Sequence, residues 1–165
     1  MSDTVSIVIP TYNHCSDLLK PCLESIKACT NLENVEVLVI ANGCKDETRE
    51  YVNSLGGPFK LLWFDAALGY TKATNEGIKA ASGEYIILLN NDTVILKPED
   101  KNAWIDMLLA PFKTDSKVGA TGPMLVHCPY ANRDFIIFFC IMIKRGVFDK
   151  IGLLDEAFNP KLREM

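Results

Sequence analysis

The run Tyr85-Ile86-Ile87-Leu88-Leu89 constrains the fold more than any other stretch of this chain. A strand with one face in water alternates apolar and polar residues, whereas a strand covered on both faces is apolar throughout. The run therefore predicts a strand buried between two layers. It passes directly into Asn90-Asn91-Asp92-Thr93. Open α/β sheets bind ligands at the carboxyl ends of their strands, so two amides and a lone carboxylate delivered there are candidates for ligand contact. Asp92 stands where a metal-bound phosphate could be held.

The chain before this run has the same grain. Val5–Ile9 is predicted as a strand closed by Pro10, Val35–Ile40 as a second, broken only by Glu36, and Phe59–Phe64 as a third. Asp17 to about Cys29 reads as a helix with Leu18, Leu19, Cys22, Leu23 and Ile26 on one face. Asp46 to about Leu55 reads as another, with Asp46, Glu47 and Glu50 near its start, where the helix dipole favours them. Gly56-Gly57-Pro58 stops it. Thr71–Ala81 is a third helix, ended by Ser82-Gly83. This alternation predicts an α/β fold: a mainly parallel sheet with helices on both faces.

After Asp92 the rhythm changes. We expect a short segment at Val94–Leu96, a helix over Lys101–Phe112, and short strands at Val118–Thr121 and Met124–Val126 around Gly122-Pro123. A long strand over Phe135–Ile143 and a turn of helix over Arg145–Ile151 come next. No repeat or linker divides the 165 residues, so one domain is expected, with a regular half over 1–92 and an irregular, incomplete half over 93–165.

Composition excludes several function classes. The net charge is −4 and no Lys/Arg run offsets it, so a nucleic-acid surface is not expected. An anionic substrate would need local neutralisation by a metal or by backbone amides. Met1-Ser2-Asp3-Thr4 lacks the basic start of a signal peptide. The apolar run Phe135–Ile143 falls far short of the roughly 20 residues that span a bilayer. Cys15, Cys22 and Cys29 recur every seven residues, which would place them about 10.5 Å apart along a helix axis. One ion cannot bridge that spacing with bonds of about 2.3 Å. The six cysteines read as small apolar residues of a reduced, cytoplasmic protein, with peripheral attachment to a membrane left open. By the same reasoning the formal glycosylation sequon Asn91-Asp92-Thr93 is discounted.

Neither GxxxxGK[ST] nor a GxGxxG after the first strand is present, so an ATPase and a dinucleotide dehydrogenase are unsupported. The first strand leads instead into Pro10-Thr11-Tyr12-Asn13. With Val5 to Ile9 before it, this segment resembles the first strand of the family 2 glycosyltransferases, inverting enzymes of the GT-A fold. Val37-Leu38-Val39-Ile40-Ala41-Asn42-Gly43-Cys44-Lys45-Asp46-Glu47-Thr48 resembles their second strand. Gly69-Tyr70-Thr71-Lys72-Ala73-Thr74-Asn75-Glu76-Gly77, with Gly83-Glu84-Tyr85, resembles their G(F/Y)xxAxNxG…GEY segment. Asn90-Asn91-Asp92 sits at their DxD position, and Arg145 to Phe158 is similar to the segment before their catalytic acid. The resemblance covers nearly the whole chain.

It implies roles position by position. Thr11 and Tyr12 would line the nucleobase pocket, Tyr12 by stacking; otherwise Tyr12 caps the core. Asn42 would contact the base, and its amide suits the imide edge of uracil, while Ala41 replaces an Asp common beside it. Asp65 is a turn residue or a nucleotide contact, and Gly69 would let the backbone approach the ligand. Asn75 is a buried hydrogen-bonding residue or a diphosphate neighbour. Lys72 is an exposed helix lysine or a phosphate contact. Asn90 and Asn91 would flank the nucleotide, and Asp92 would hold Mg²⁺ or Mn²⁺ against its diphosphate.

Inversion also needs a base for the acceptor hydroxyl. In the resembled family an Asp in a Glu-Asp pair supplies it; by spacing, Glu164 falls at that Glu and Met165 at that Asp. Glu164 is thus the candidate base, and transfer by these residues alone is expected to be slow. Asp155 and Glu156 read as structural. The implied function is transfer of a sugar, with inversion, from a nucleotide sugar (a UDP-sugar) to a glycan or glycoconjugate. The alternative is a non-catalytic sugar-nucleotide-binding or interaction domain. A nucleotidylyltransferase would need a basic glycine-rich loop that is absent. The apolar second half is expected to promote self-association.

Overall fold

The computed structural model describes residues 3–96, 100–128, 130 and 132–158. Four strands, β1 (Val5–Thr11), β2 (Val35–Asn42), β3 (Phe59–Phe64) and β4 (Tyr85–Leu89), lie parallel in the order β3-β2-β1-β4. The helices α1 (Lys20–Cys29), α2 (Thr48–Leu55) and α3 (Tyr70–Ala80) connect them. Beyond β4 come α4 (Ala103–Thr114), β5 (Ala120–Thr121), the antiparallel pair β6 (Leu125–Cys128) and β7 (Arg133–Ile136), then β8 (Cys140–Lys144) and α5 (Arg145–Ile151). β8 joins the main sheet antiparallel to β4, and β5 pairs with β8. The main sheet has six strands and the β6–β7 pair is a separate sheet.

Strand alternation divides the core. Ile7, Ile9, Val37, Val39, Ile87, Leu89 and Met142 pack with Leu23 and Ile26 of α1, Val52 of α2 and Leu108 of α4. Val8, Leu38, Ile40, Ile86, Leu88 and Ile141 pack with Ala73 and Ile78 of α3, with Val147 and Phe148 of α5 against them. Both faces of the sheet are covered by helices, which is why β4 is apolar throughout and β1 nearly so, with Ser6 its one polar residue before Thr11.

Three local differences from the sequence reading have physical causes. β1 continues through Pro10 to Thr11. Its pairing with β4 stops at Val8, and only β2 accompanies Pro10, so the missing N–H is tolerated as on an edge strand. α1 is preceded by a π-helical turn, Cys15–Leu19, because the His14 carbonyl accepts from both Leu18 and Leu19 N–H at 3.1 Å. The expected long strand over Phe135–Ile143 is two strands in two sheets, β7 and β8, with a turn at Phe138-Phe139. An apolar run without Gly or Pro carries no break signal, yet Phe139 turns its carbonyl to the Asn90 N–H at 2.8 Å.

The one charged residue in the β2 run is satisfied. Glu36 accepts from Ser6 Oγ (2.6 Å), Ser82 N (2.6 Å), Ser82 Oγ (2.7 Å) and Lys60 Nζ (2.7 Å). Burial acts to raise its pKa, but these four donors outweigh it and hold the carboxyl at about 2. The carboxylate thereby ties β1, β2, β3 and the turn before β4 together at the end of the sheet where the strands begin.

Candidate functional site

From β1 the chain winds outward to β2 and β3, then returns to the other side of β1 to form β4. The carboxyl ends of β1 and β4 therefore flank the point where the winding reverses, the crevice in which open α/β sheets bind ligands. β1 delivers Thr11, buried, and then Tyr12, which is 53% exposed. β4 delivers Asn90, Asn91 and Asp92. Asn91 Nδ2 donates to Thr11 Oγ1 at 2.9 Å, and the Tyr70 hydroxyl donates to Asn90 Oδ1 at 3.5 Å.

The turn after β4 is closed by its own backbone: Thr93 N–H donates to the Asn90 carbonyl at 3.2 Å. Asp92 takes no part in closing it. Its exposed carboxylate has no hydrogen bond or ion pair with any other described residue. Turn capping, the ordinary reason for an Asp here, does not account for it. Cys22 lies beneath; burial, then the negative charge of Asp92, pushes its thiol up to about 12. Cys22 is a neutral thiol directed at the Asn90 carbonyl (3.9 Å), and Cys140 is likewise held at about 11 by burial. Among the described residues no three His, Cys, Asp or Glu side chains cluster as a metal site.

The loops after β2 and β3 close the same end. Asn42 is buried and its Oδ1 accepts from Leu68 N–H at 2.5 Å. Gly43 has φ +82° and donates to the Phe64 carbonyl at 2.9 Å; a Cβ there would sit 2.7 Å from Ala67 N. Gly69 (φ +82°) turns the chain into α3, a conformation few other residues adopt. Asp65 is exposed after the outermost strand; its Oδ1 accepts from Trp63 Nε1 at 2.9 Å, with the Arg49 guanidinium stacked on the same indole at 3.9 Å.

Of the two roles open for Asn75, the buried one is seen. Its Nδ2 donates to the Leu154 carbonyl (2.9 Å) and to Glu156 Oε1 (3.1 Å), and its Oδ1 accepts from Leu154 N–H (3.0 Å). Nothing of this amide is left to face a diphosphate. Lys72 lies 3.9 Å from Glu156 Oε2, and Asp155 Oδ1 accepts from Ala157 N–H at 2.9 Å, so both acids of that segment are engaged in holding it. Glu164 and Met165 lie outside the described residues.

The bonds that join the loops escape a residue-by-residue reading. Asn13 Oδ1 accepts from Lys45 N–H at 2.7 Å, and Asn13 N–H donates to Cys44 Sγ at 3.3 Å. Asp46 accepts from Cys15 N–H at 2.8 Å and from Thr48 Oγ1 at 2.6 Å. The available signal is an Asn two residues after the end of β1, a residue type that tolerates φ > 0.

Known proteins share this architecture. The model for glycosyl transferase family 2 matches residues 6–135. An uncharacterized glycosyltransferase of Rickettsia prowazekii is 36% identical over 188 aligned positions, covering 96% of this chain and 55% of that protein. Among solved structures, a mannosyltransferase from Pyrobaculum calidifontis in complex with GDP-Man and Mn²⁺ superposes with a TM-score of 0.74 at 18% identity, over 93% of this chain and 48% of that one. S. aureus TarS residues 1–349 in complex with UDP gives 0.71 at 18% identity, over 96% and 52%. The chain thus spans about half the length of these three proteins, and smaller shares, 15% and 21%, of other curated relatives. The architecture is that of GT-A glycosyltransferases.

Proposed function

Because the chain belongs to glycosyl transferase family 2, we propose that it binds a nucleoside diphosphate sugar, a UDP-sugar, across the β1/β4 crevice and serves its transfer, with inversion, to a glycan or glycoconjugate acceptor. The observation that carries this reading is the exposed carboxylate of Asp92, without a hydrogen bond or ion pair among the described residues, at the end of an all-apolar strand and at the point of reversal. Tyr12 offers an exposed ring for stacking on the base. Thr11, Asn42, Asp65, Gly69, Asn90 and Asn91 surround the same end of the sheet, and Asn75 serves from behind by fastening residues 154–156 to α3.

Asp92 suits a divalent ion. Mg²⁺ and Mn²⁺ are hard cations that take oxygen ligands, and one carboxylate completed by substrate phosphates and water is a common way to hold Mg²⁺. When bound there, the ion would neutralise charge on the nucleotide diphosphate leaving group. The chain's residues then have three tasks: Tyr12 fixes the base, Thr11 and Asn91 hold the two strand ends at a fixed spacing, and an acid takes the acceptor proton. Glu164 is the proposed acid by spacing alone.

The engagement of Asp155 and Glu156 in structural contacts favours keeping a second reading: donor binding without transfer by these residues alone. The test is transfer from UDP-, GDP- and TDP-sugars to mixed glycan acceptors, with product configuration read from anomeric couplings. A product of inverted configuration formed from UDP-sugars supports the first reading. Donor binding without transfer supports the second. Retained configuration overturns the assignment of mechanism. No helix among the described residues is long and apolar enough to cross a membrane; a cytoplasmic site of action is part of the proposal.

A further inference from the structure

Tyr12 is exposed, and its ring has no hydrogen bond or ring contact with another described residue to hold it. Its position is fixed by the backbone of the next two residues. Asn13 and His14 are consecutive non-glycine residues in the left-handed region, at φ 54° and 58°. Such a pair is unfavourable for L-residues and persists only where surrounding bonds over-determine it. Every polar part of the Asn13 backbone is used: its N–H meets Cys44 Sγ, and its carbonyl accepts from Thr11 Oγ1 at 3.3 Å. The side-chain oxygen accepts from Lys45 N–H at 2.7 Å. Thr11 Oγ1 in turn accepts from Asn91 Nδ2. One hydrogen-bonded line therefore runs from the end of β4, through Thr11 and Asn13, to the loop after β2.

We propose that Asn13 is a positioning residue: its side-chain oxygen clamps the loop after β1 onto the loop after β2 and so presets Tyr12 for a planar ligand. The role of Tyr12 rests on the nucleotide reading above; the clamp itself does not. Asn13→Gly removes the amide while keeping φ > 0 accessible, so the chain retains its fold. Asn13→Asp keeps an acceptor oxygen for Lys45 N–H.

The test joins ¹⁵N relaxation of the free protein with titration of uridine and UDP. Backbone order parameters at Tyr12 and His14 should be about 0.85 in the wild type and in Asn13→Asp, and below about 0.6 in Asn13→Gly. Uridine and UDP should both bind Asn13→Gly about five- to tenfold more weakly, the effect of one lost hydrogen bond. Unchanged order parameters in a folded Asn13→Gly protein would overturn the clamp, as would loosening in Asn13→Asp equal to that in Asn13→Gly. A wild type that is rigid at Tyr12 but binds neither ligand would sink the nucleotide reading and leave the clamp standing.

Discussion

Residues up to Asp92 and residues beyond it are stabilised differently. In the first region four parallel strands share two apolar faces with α1, α2 and α3, and the loops at their carboxyl ends are bonded to one another at Thr11, Asn13, Asn42 and Asp46. In the second, β8 and α4 enter the common core, and β5, α5 and Ile136 of β7 pack against its edge. The β6–β7 pair stands apart, with Leu125 66% and Phe135 46% exposed. The contrast separates a closely bonded frame from a region that presents apolar side chains. A two-stranded pair is marginal by itself, so its order depends on the attachments at Ile136 and Phe139.

The sharpest way to break this comparison is truncation on each side. Ile9→Ala, at a fully buried position, should cost about 2–5 kcal/mol, whereas Leu125→Ala should change stability by no more than about 0.5 kcal/mol. Equal costs in urea unfolding would erase the distinction. Asn75→Ala comes next. It removes three hydrogen bonds that join the two regions, with an expected loss of about 1–3 kcal/mol and faster hydrogen exchange at Leu154.

Glu36→Gln probes the opposite end of the first region. The folded carboxyl lies at about 2, below its ordinary value of 4.5. Its stabilisation is therefore complete above pH 4.5 and is lost as pH falls toward 2. The substitution should cost about 1–2 kcal/mol at pH 7, allowing for solvent screening, and the gap should close progressively below pH 4.5 in thermal unfolding. A gap independent of pH would mean that the charge contributes nothing. The smallest effect on stability is expected for Phe135→Ser, at about 0.5 kcal/mol or less. It should still shift light scattering toward monomer if the exposed pair mediates self-association; unchanged association would point to another surface.

The frame is legible because its strands are mostly apolar, each with at most one polar or charged residue (Ser6, Glu36, Lys60) before its polar end. The apolar run Tyr85–Leu89 coincides with β4 residue for residue, and its polar end points to Asp92. The second region defeated that signal for the same reason. Phe135–Ile143 is apolar throughout, so nothing in the run announces that Ile136 ends one strand and Cys140 begins another. The clamp at Asn13 was invisible because it depends on Lys45 and Cys44, brought near only by the parallel pairing of β1 with β2. Asn75 could be read as buried or as facing a ligand, and only the position of Leu154 decides between them.

The central claim is that Asp92 holds a divalent ion against a nucleotide diphosphate. Calorimetric titration of UDP into the wild type and Asp92→Ala, each with and without Mn²⁺, tests it most directly. Mn²⁺ should strengthen UDP binding to the wild type, Asp92→Ala should lose most of this gain, and the two proteins should bind UDP about equally weakly without metal. An undiminished Mn²⁺ effect in a folded Asp92→Ala protein would contradict it.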